Sequence, residues 1–598
     1  MKYRSAASLL LASIPFGAFA QRPIEKLGRG VVAVRSSDTE VLVSWRLLGL
    51  DDQHLGFNIY RASGDEDPVQ LNNEALTGGT NYADGDADLS KDNTYFVYPV
   101  VAGKEGEGGN FTLTADHDTE PIVRIPIQEG GTIKFVWVGD LDGDGEWDFV
   151  LDRQTSPQTL EAYRSDGTFL WEVNMGKNSE NQDNISPGSA TLNVGNWDGV
   201  TVFDFDSDGL AEVAVRIANG VKFGDGKEFK DGKNDDEQFI AILDGQTGAL
   251  KATAKVTDKY KSDGPLAARF GVGYLDGKRP HLVTFMKNRQ PDTGPFNLVM
   301  AAWTFDGKEI NQEWEWHRGN QDCPDGHNTR SIDADEDGKD EVHEIGFSLD
   351  GKGKLRYSLA PDVVHGDRFQ IAKMDPERDG LQGYGVQQRN PSGLLEYYYD
   401  ATDGKLLWGH SEEFDEDNPT DVGRGSVGDI DPTSPGMEAW SMYGVYNAPS
   451  NDLLTKEDQG PWPHLNIFWD GDILVELFND GKFEKWDWEN PTGSSKLPRL
   501  LTASKFGANP THGPNPGFHG DILGDWREEV LLVNDDNNEL IIFTTDQPSD
   551  IRLYTLAHNP AYRNSMTFKG YVQTHHVDYF IGQDMEMPGQ PNIRYAGE

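Results

Sequence analysis

The stretch VWVGDLDGDGEWDFVLDR, Val136 to Arg153, puts aspartates at 140, 142, 144 and 148, with glycines at 143 and 145 between them. Apolar, strand-forming residues flank the cluster on both sides. At relative positions 1, 3, 5 and 9, the four carboxylates of one tight turn can converge on a point. Like-charge repulsion disfavours this unless a hard cation sits among them. Calcium fits, because it takes about 6–8 oxygen ligands and tolerates flexible geometry. A solvated acidic hairpin is the alternative for a single copy, so recurrence decides.

The loop recurs. Asp204, Asp206, Asp208 and Glu212 repeat the spacing, as do Asp333, Asp335, Asp337 and Glu341. Asp429, Asp431 and Glu438 surround an inserted Pro-rich turn, and Asp521, Asp525 and Glu529 keep positions 1, 5 and 9 around Leu523. Weaker echoes run over residues 273–286 and 372–386. All of these acids, with Asp140, Asp142, Asp144 and Asp148, are expected calcium ligands. Between several copies lie hairpins with Asp-Gly turns, such as YRSDGTFLWEV from Tyr163 and YYDATDGKLLWGH from Tyr398, whose aromatic is expected to face outward. A repeat of roughly 40–70 residues built from strands and hairpins marks a propeller of seven or eight blades.

The chain has 598 residues, 53 Lys+Arg against 100 Asp+Glu, and a formal charge of −47. That field excludes nucleic acid and anionic membrane as partners bound through overall charge. Aromatics at 11% and 15 Trp demand a packed core, so this is not a disordered acidic chain. The 67 glycines and 31 prolines are spread as turn punctuation, which favours an all-β protein. Residues 1–20 read as a secretory signal: Lys2 and Arg4, an apolar run, then Ala18-Phe19-Ala20. A secreted monomer is expected, with acceptor sequons at Asn110 and Asn184. The single cysteine, Cys323, forms no intrachain disulfide, so calcium is the natural staple.

Residues 21–130 alternate apolar and polar positions at strand period, with Trp45 as a core plug. The order of a Trp strand, an IYR strand and a Tyr-rich strand resembles fibronectin type III domains. Residues 131–598 are then the propeller.

DVGRGSVGDIDP (Asp421–Pro432), DILGDWREEVLLVN (Asp521–Asn534) and TDQPSDIRLYTLAHNPAYR (Thr545–Arg563) together resemble the rhamnogalacturonan lyases of polysaccharide lyase family 11. The resemblance runs from about Lys26 to Gly582. It implies an eight-bladed, calcium-bearing propeller that cleaves the rhamnose–galacturonate backbone of pectin by β-elimination. Arg424 matches a cleft arginine of the family, suited to holding a carboxylate. His327, His365 and Asp367 match positions that bind a calcium near the cleft, and Tyr571 matches a cleft tyrosine. Three departures stand out. His512 in GANPTHGPNPGFHGD is the nearest equivalent of a family lysine, and is a competent base near neutral pH. Gln382 replaces a glutamate, which would remove one anionic calcium ligand. The segment 178–199 lacks the family's usual pattern. Arg424, His512 and Tyr571 are therefore the expected catalytic residues. The competing classes are a calcium-dependent, lectin-like propeller that binds acidic glycans, a lyase acting on a different rhamnose/uronate polymer, and a hydrolase with a carboxylate pair.

Overall fold

The structure, a computed structural model, describes residues 20–231, 235–290, 294–457, 459–494, 496–569 and 571–598. The expected signal lies outside these residues except for Ala20. The protein is nearly all β; the only α-helix among the described residues is Pro560–Thr567.

Eight antiparallel sheets of four strands each follow one another along the chain. The first runs Val136–Gly139, Asp148–Arg153, Thr159–Tyr163 and Phe169–Asn174, each strand pairing with the next. Its first strand is wholly buried, and its fourth is partly exposed. This gradient explains why the early strands read as continuous apolar runs: neighbours cover both of their faces. First strands of successive sheets touch, Val136–Gly139 against Val200–Phe203 and then Ala267–Gly273 and Arg330–Ile332. Likewise Phe369–Ala372, Gly425–Gly428 and Leu465–Ile467 are neighbours in turn.

The last sheet joins both ends of the chain. Phe518–Gly520, Glu529–Val533 and Glu539–Phe543 are completed by Ile122–Pro126, with Ile122 opposite Phe543. The boundary expected at residue 130 therefore falls earlier, because 122–126 already belongs to the last sheet. Arg22–Ile24 also pairs in parallel with Ile593–Tyr595.

The N-terminal unit has a three-stranded sheet and a five-stranded sheet sharing one core. Trp45 is fully buried there, edge-on to Phe57 with ring centroids 5.6 Å apart. It is the expected plug.

The hairpin aromatics correct an expectation: they do not face outward. Trp171 Nε1 donates to the Gly245 carbonyl at 2.7 Å, Trp314 Nε1 to Gly351 at 3.0 Å, and Trp408 Nε1 to Ala448 at 2.9 Å. Each indole thus bonds to the following sheet. At Gly248 and Gly353 the ring lies so close that a Cβ would sit 2.5–2.6 Å from it. Both glycines also have positive φ, 64° and 76°, so turn geometry and packing require the same residue.

The helix Pro560–Thr567 is buried at every residue and touches first strands from four sheets. Asn559 caps it by accepting from the Tyr562 N–H, and Pro560 begins it. Its Arg563 pairs with Glu25 through Nε at 3.0 Å, tying the N-terminal segment to the helix.

Candidate active site

Each acidic loop follows the first strand of its sheet. The two ends of these strands therefore differ in charge. The far ends carry the acidic corners; the leading ends carry nearly every other residue singled out by the sequence.

At the corners, ligand atoms of Asp140, Asp142 and Asp148 lie within 4.8 Å of one another, as do those of Asp204, Asp206 and Glu212 and of Asp333, Asp335 and Glu341. Burial raises Asp140 to about 7, Asp204 to about 8 and Glu341 to about 8, and neighbouring carboxylates add to the shift. All-oxygen donor sets this crowded fit a hard divalent cation. Asp144, Asp208 and Asp337 do not join the groups: each caps its own turn, accepting from the N–H of Glu146, Leu210 and Lys339 at 2.9, 3.0 and 2.9 Å.

Two expected corners are not assembled in this way. Asp525 is engaged by Arg527 through both oxygens, at 2.9 and 2.7 Å. Asp521 accepts from Thr555 Oγ1 and the Leu556 N–H, both at 2.6 Å, and Glu529 from the Ile522 and Leu523 N–H groups. Asp429 accepts from the Gln583 N–H, Asp431 turns to Thr433, and Glu438 accepts from the Ile430 N–H. Local donors hold the aspartates of these two corners; the N–H bonds of Glu438 and Glu529 are ones that Glu212 and Glu341 also make in assembled corners.

A corner absent from the sequence reading appears instead. Asp470, Asp472 and Glu476 converge, and Lys485 Nζ reaches all three at 2.7, 2.7 and 2.6 Å. The first position there is Phe468, and the ammonium takes the place that Lys251 holds against Glu212 and Arg356 against Glu341 in corners that keep their first aspartate. Gln382 likewise belongs to a corner. Its Oε1 accepts from the Met374 and Asp375 N–H groups at 3.0 and 2.9 Å, while Lys373 supplies the local cation. It opposes Ala372, whereas His365 and Asp367 precede the other end of that strand at Phe369. Gln382 is thus no ligand of the histidine site.

At the leading ends, His327, His365 and Asp367 bring ligand atoms within 4.8 Å of one another. His365 Nδ1 lies 2.7 Å from Asp325 Oδ1, which orients the ring and leaves Nε2 available. Burial, then Lys287 and His365, hold His327 down to about 2, so its imidazole is neutral. Two imidazoles and a carboxylate fit a divalent ion.

Tyr571, 45% exposed, stands beside His327 with ring centroids 4.6 Å apart. Burial raises its phenol, so it is a proton donor rather than a base at neutral pH. Arg424 Nη1 lies 2.7 Å from His464 Nδ1, and Arg368 Nη2 lies 3.2 Å from the same atom. Asp367 and Tyr571 are the charge neighbours of Arg424. These residues form one cationic patch.

His512 precedes the first strand of the last sheet, Phe518–Gly520, and no hydrogen bond or ring contact joins it to Arg424 or Tyr571 among the described residues. Burial, then Lys134, lowers its imidazole. Lys134, Arg269, Trp197 and Trp462 are residues that the sequence motifs did not single out. Lys134 is 8% exposed, and burial lowers it to about 8, with Arg269 adding to the effect and Asp152 opposing it. Its Nζ donates to Asn196, and its carbonyl accepts from Thr511 Oγ1 at 2.7 Å, next to His512. Arg269 in turn neighbours Tyr571, so positive charge runs from His512 to Arg424. Trp197 and Trp462, each 45% exposed, precede two first strands at this same end. A simple signal would have found all four: residues three to eight positions ahead of each first strand or its acidic loop.

Residues 133–591 match the sequence profile of the rhamnogalacturonan lyase family 11 C-terminal domain, and residues 22–112 that of the rhamnogalacturonan I lyase beta-sheet domain. This chain belongs to rhamnogalacturonan lyase family 11, and its activity is that of a rhamnogalacturonan lyase. It is 33% identical to rhamnogalacturonan endolyase YesW of Bacillus subtilis (strain 168), over 96% of this chain and 94% of the relative. It is 30% identical to rhamnogalacturonan exolyase YesX of the same organism, over 96% and 98%. The solved structure of YesW superposes with a TM-score of 0.82, at 31% identity and coverage of 96% and 100%. A Bacillus licheniformis PL11 rhamnogalacturonan lyase gives 0.84, at 30% identity over 96% and 100%.

Proposed function

We propose that this protein is a secreted lyase that cuts the rhamnose–galacturonate backbone by β-elimination at the leading-end patch. In this reading the eight sheets close as an eight-bladed propeller, with calcium at the acidic corners and at the histidine site. Residues 22–113 form a fibronectin type III-like domain attached to it. The observation that carries the reading is the concentration of Arg269, Arg368, Arg424 and Lys134 at one end of a chain of charge −47. A polyuronate needs such a local reversal of field to bind.

The chemistry follows from the residues. The C5 proton of a galacturonate is barely acidic while its carboxylate keeps full charge. Arg424 holds that carboxylate and stabilises the charge developing on it. Calcium, when bound by His327, His365 and Asp367, adds a second positive charge near the carboxylate. His512, kept neutral by burial and by Lys134, takes the C5 proton. A double bond forms between C4 and C5 as the bond from C4 to the glycosidic oxygen breaks. Tyr571 donates a proton to that leaving oxygen.

The test is the product. Incubation with rhamnogalacturonan should generate the ultraviolet chromophore of an unsaturated uronate, with little from homogalacturonan. New reducing ends without the chromophore would replace elimination by hydrolysis. Binding without either would favour the lectin-like alternative.

A further inference from the structure

Several buried guanidinium groups of this chain are neutralised by a carboxylate. Arg153, Arg216, Arg527 and Arg563 pair with Glu161, Asp198, Asp525 and Glu25 at 2.9, 2.6, 2.7 and 2.5 Å. Arg368 and Arg424 differ: among the described residues neither forms an ion pair, although Arg368 is only 2% exposed. Both meet one imidazole instead. Arg424 Nη1 lies 2.7 Å from His464 Nδ1 and Arg368 Nη2 lies 3.2 Å from it, while Arg368 Nη1 donates to the His464 carbonyl at 2.8 Å.

The three residues hold equivalent places. Each immediately precedes the first strand of its sheet, Phe369–Ala372, Gly425–Gly428 and Leu465–Ile467, and these strands are neighbours in turn. Three strand starts, rather than one loop, therefore set the arrangement. A guanidinium offers only N–H donors, so the Nδ1 that faces two of them presents its lone pair. His464 is then a neutral imidazole with its proton on Nε2. Burial, then Arg368 and Arg424, hold it down to about 2, while the backbone of Pro514, two residues beyond His512, favours a ring proton.

The consequence is electrostatic. A carboxylate in this place would orient the arginine and cancel its charge at once. A neutral acceptor orients it and leaves the charge whole. In a chain of charge −47, that separates a site able to hold a uronate from one more internal ion pair.

We infer that His464 is the positioning residue of the uronate site: it fixes the Arg424 guanidinium without neutralising it, and Arg368, bonded to both the ring and the carbonyl of His464, fixes the imidazole. This rests on the reading above in which Arg424 holds the substrate carboxylate.

The experiment compares His464→Gln with His464→Glu in kcat/KM on rhamnogalacturonan and in Tm, beside Arg424→Ala. The glutamine amide oxygen is a neutral acceptor, whereas the glutamate carboxylate accepts and also pairs with both guanidinium groups. A merely structural role therefore ranks His464→Glu at or above His464→Gln in both readouts. The positioning role predicts a split. His464→Gln should keep kcat/KM within about tenfold of the wild type, the scale of one imperfect hydrogen bond. His464→Glu should lose about 10²–10³-fold, with a Tm no lower than that of His464→Gln. Equal kcat/KM in the two His464 variants, with Arg424→Ala impaired, would overturn the inference and leave the uronate site standing. A fully active Arg424→Ala would overturn both. If either His464 variant fails to fold, neutron diffraction from a deuterium-exchanged wild-type crystal decides: deuterium on Nε2 alone is expected, and deuterium on Nδ1 would overturn the inference.

Discussion

Tyr571 and His327 meet edge to face, with ring centroids 4.6 Å apart and planes at 88°. One face of the proposed proton donor's ring is thus set by a residue of the histidine site, so a metal held there would bear on the donor's position. Tyr571→Phe keeps the ring and removes only the hydroxyl. The expected loss is about 10²-fold or more in kcat, the usual range for a positioned acid, with Tm unchanged. Steady-state kinetics beside a melting curve checks this; a wild-type kcat would assign leaving-group protonation to water.

The acid limb of the pH profile tests the base. His512 titrates below the ordinary histidine value of 6.5, so kcat/KM should rise with pH through a group lying under that value. Lys134→Met removes the ammonium that disfavours the imidazolium, so the limb should move to higher pH. His512→Ala should lower kcat by about 10²–10⁴. If it instead keeps the wild-type rate and Lys134→Met is inactive, the neutral form of Lys134 is the base.

Chelation should separate the corners. Ions held only by the folded chain stabilise it by RT ln(1 + [L]/Kd), about 4 kcal/mol at a thousandfold excess over Kd. Asp140→Ala should therefore shrink the fall in Tm caused by chelator. Asp525→Ala should leave that fall intact, because Asp525 is held by Arg527. The metal-free protein should also respond to pH. Asp140, Asp204 and Asp333 titrate at about 7, 8 and 7 in the fold, mainly through burial, against an ordinary 3.8. The folded chain then holds protons that the unfolded chain has released, so this stability is full below the unfolded value and is lost as pH rises through about 7–8. In chelator, Tm should be higher at about pH 5 than at about pH 9, and calcium should remove the difference. Equal chelator sensitivity in both variants, or a Tm flat in pH, would contradict the corner assignment.

Trp197 and Trp462 offer indole faces at the leading end, where a sugar ring can stack. Trp197→Ala and Trp462→Ala should raise KM by about 3–10-fold with kcat changed less, the pattern of lost uniform binding. Initial-rate measurements on the polymer check it. An unchanged KM in both would remove these rings from the cleft.

The sheets were legible because the acidic turn recurs with apolar strands on both sides, and the turn residues demand one local geometry. The three well-formed corners followed from the same pattern, and Trp45 from the alternation of apolar and polar residues in the N-terminal unit. The failures have physical causes. At Asp521, Asp525 and Glu529 the spacing survives, but Arg527 and the Thr555 hydroxyl capture the carboxylates, a competition visible only in space. Trp171 reads as an exposed hairpin aromatic until the Gly245 carbonyl of the next sheet supplies its partner. Ile122–Pro126 joins a strand more than 400 residues away, beyond any local signal. Lys134 escaped because a single lysine carries no motif of its own; its place ahead of a first strand and its acidic loop marks it only once those strands are aligned, and burial and Arg269 then distinguish it.

The central claim is that the uronate is held and deprotonated at the leading ends of the first strands. Its most direct test is a crystal structure of Tyr571→Phe with a rhamnogalacturonan oligosaccharide, supported by the kinetics of Arg424→Ala. One galacturonate carboxylate should lie against the Arg424 guanidinium with its C5 hydrogen facing His512 or Lys134, and Arg424→Ala should lose about 10²–10³-fold in kcat. An oligosaccharide bound at the acidic corners, with Arg424→Ala fully active, would contradict it.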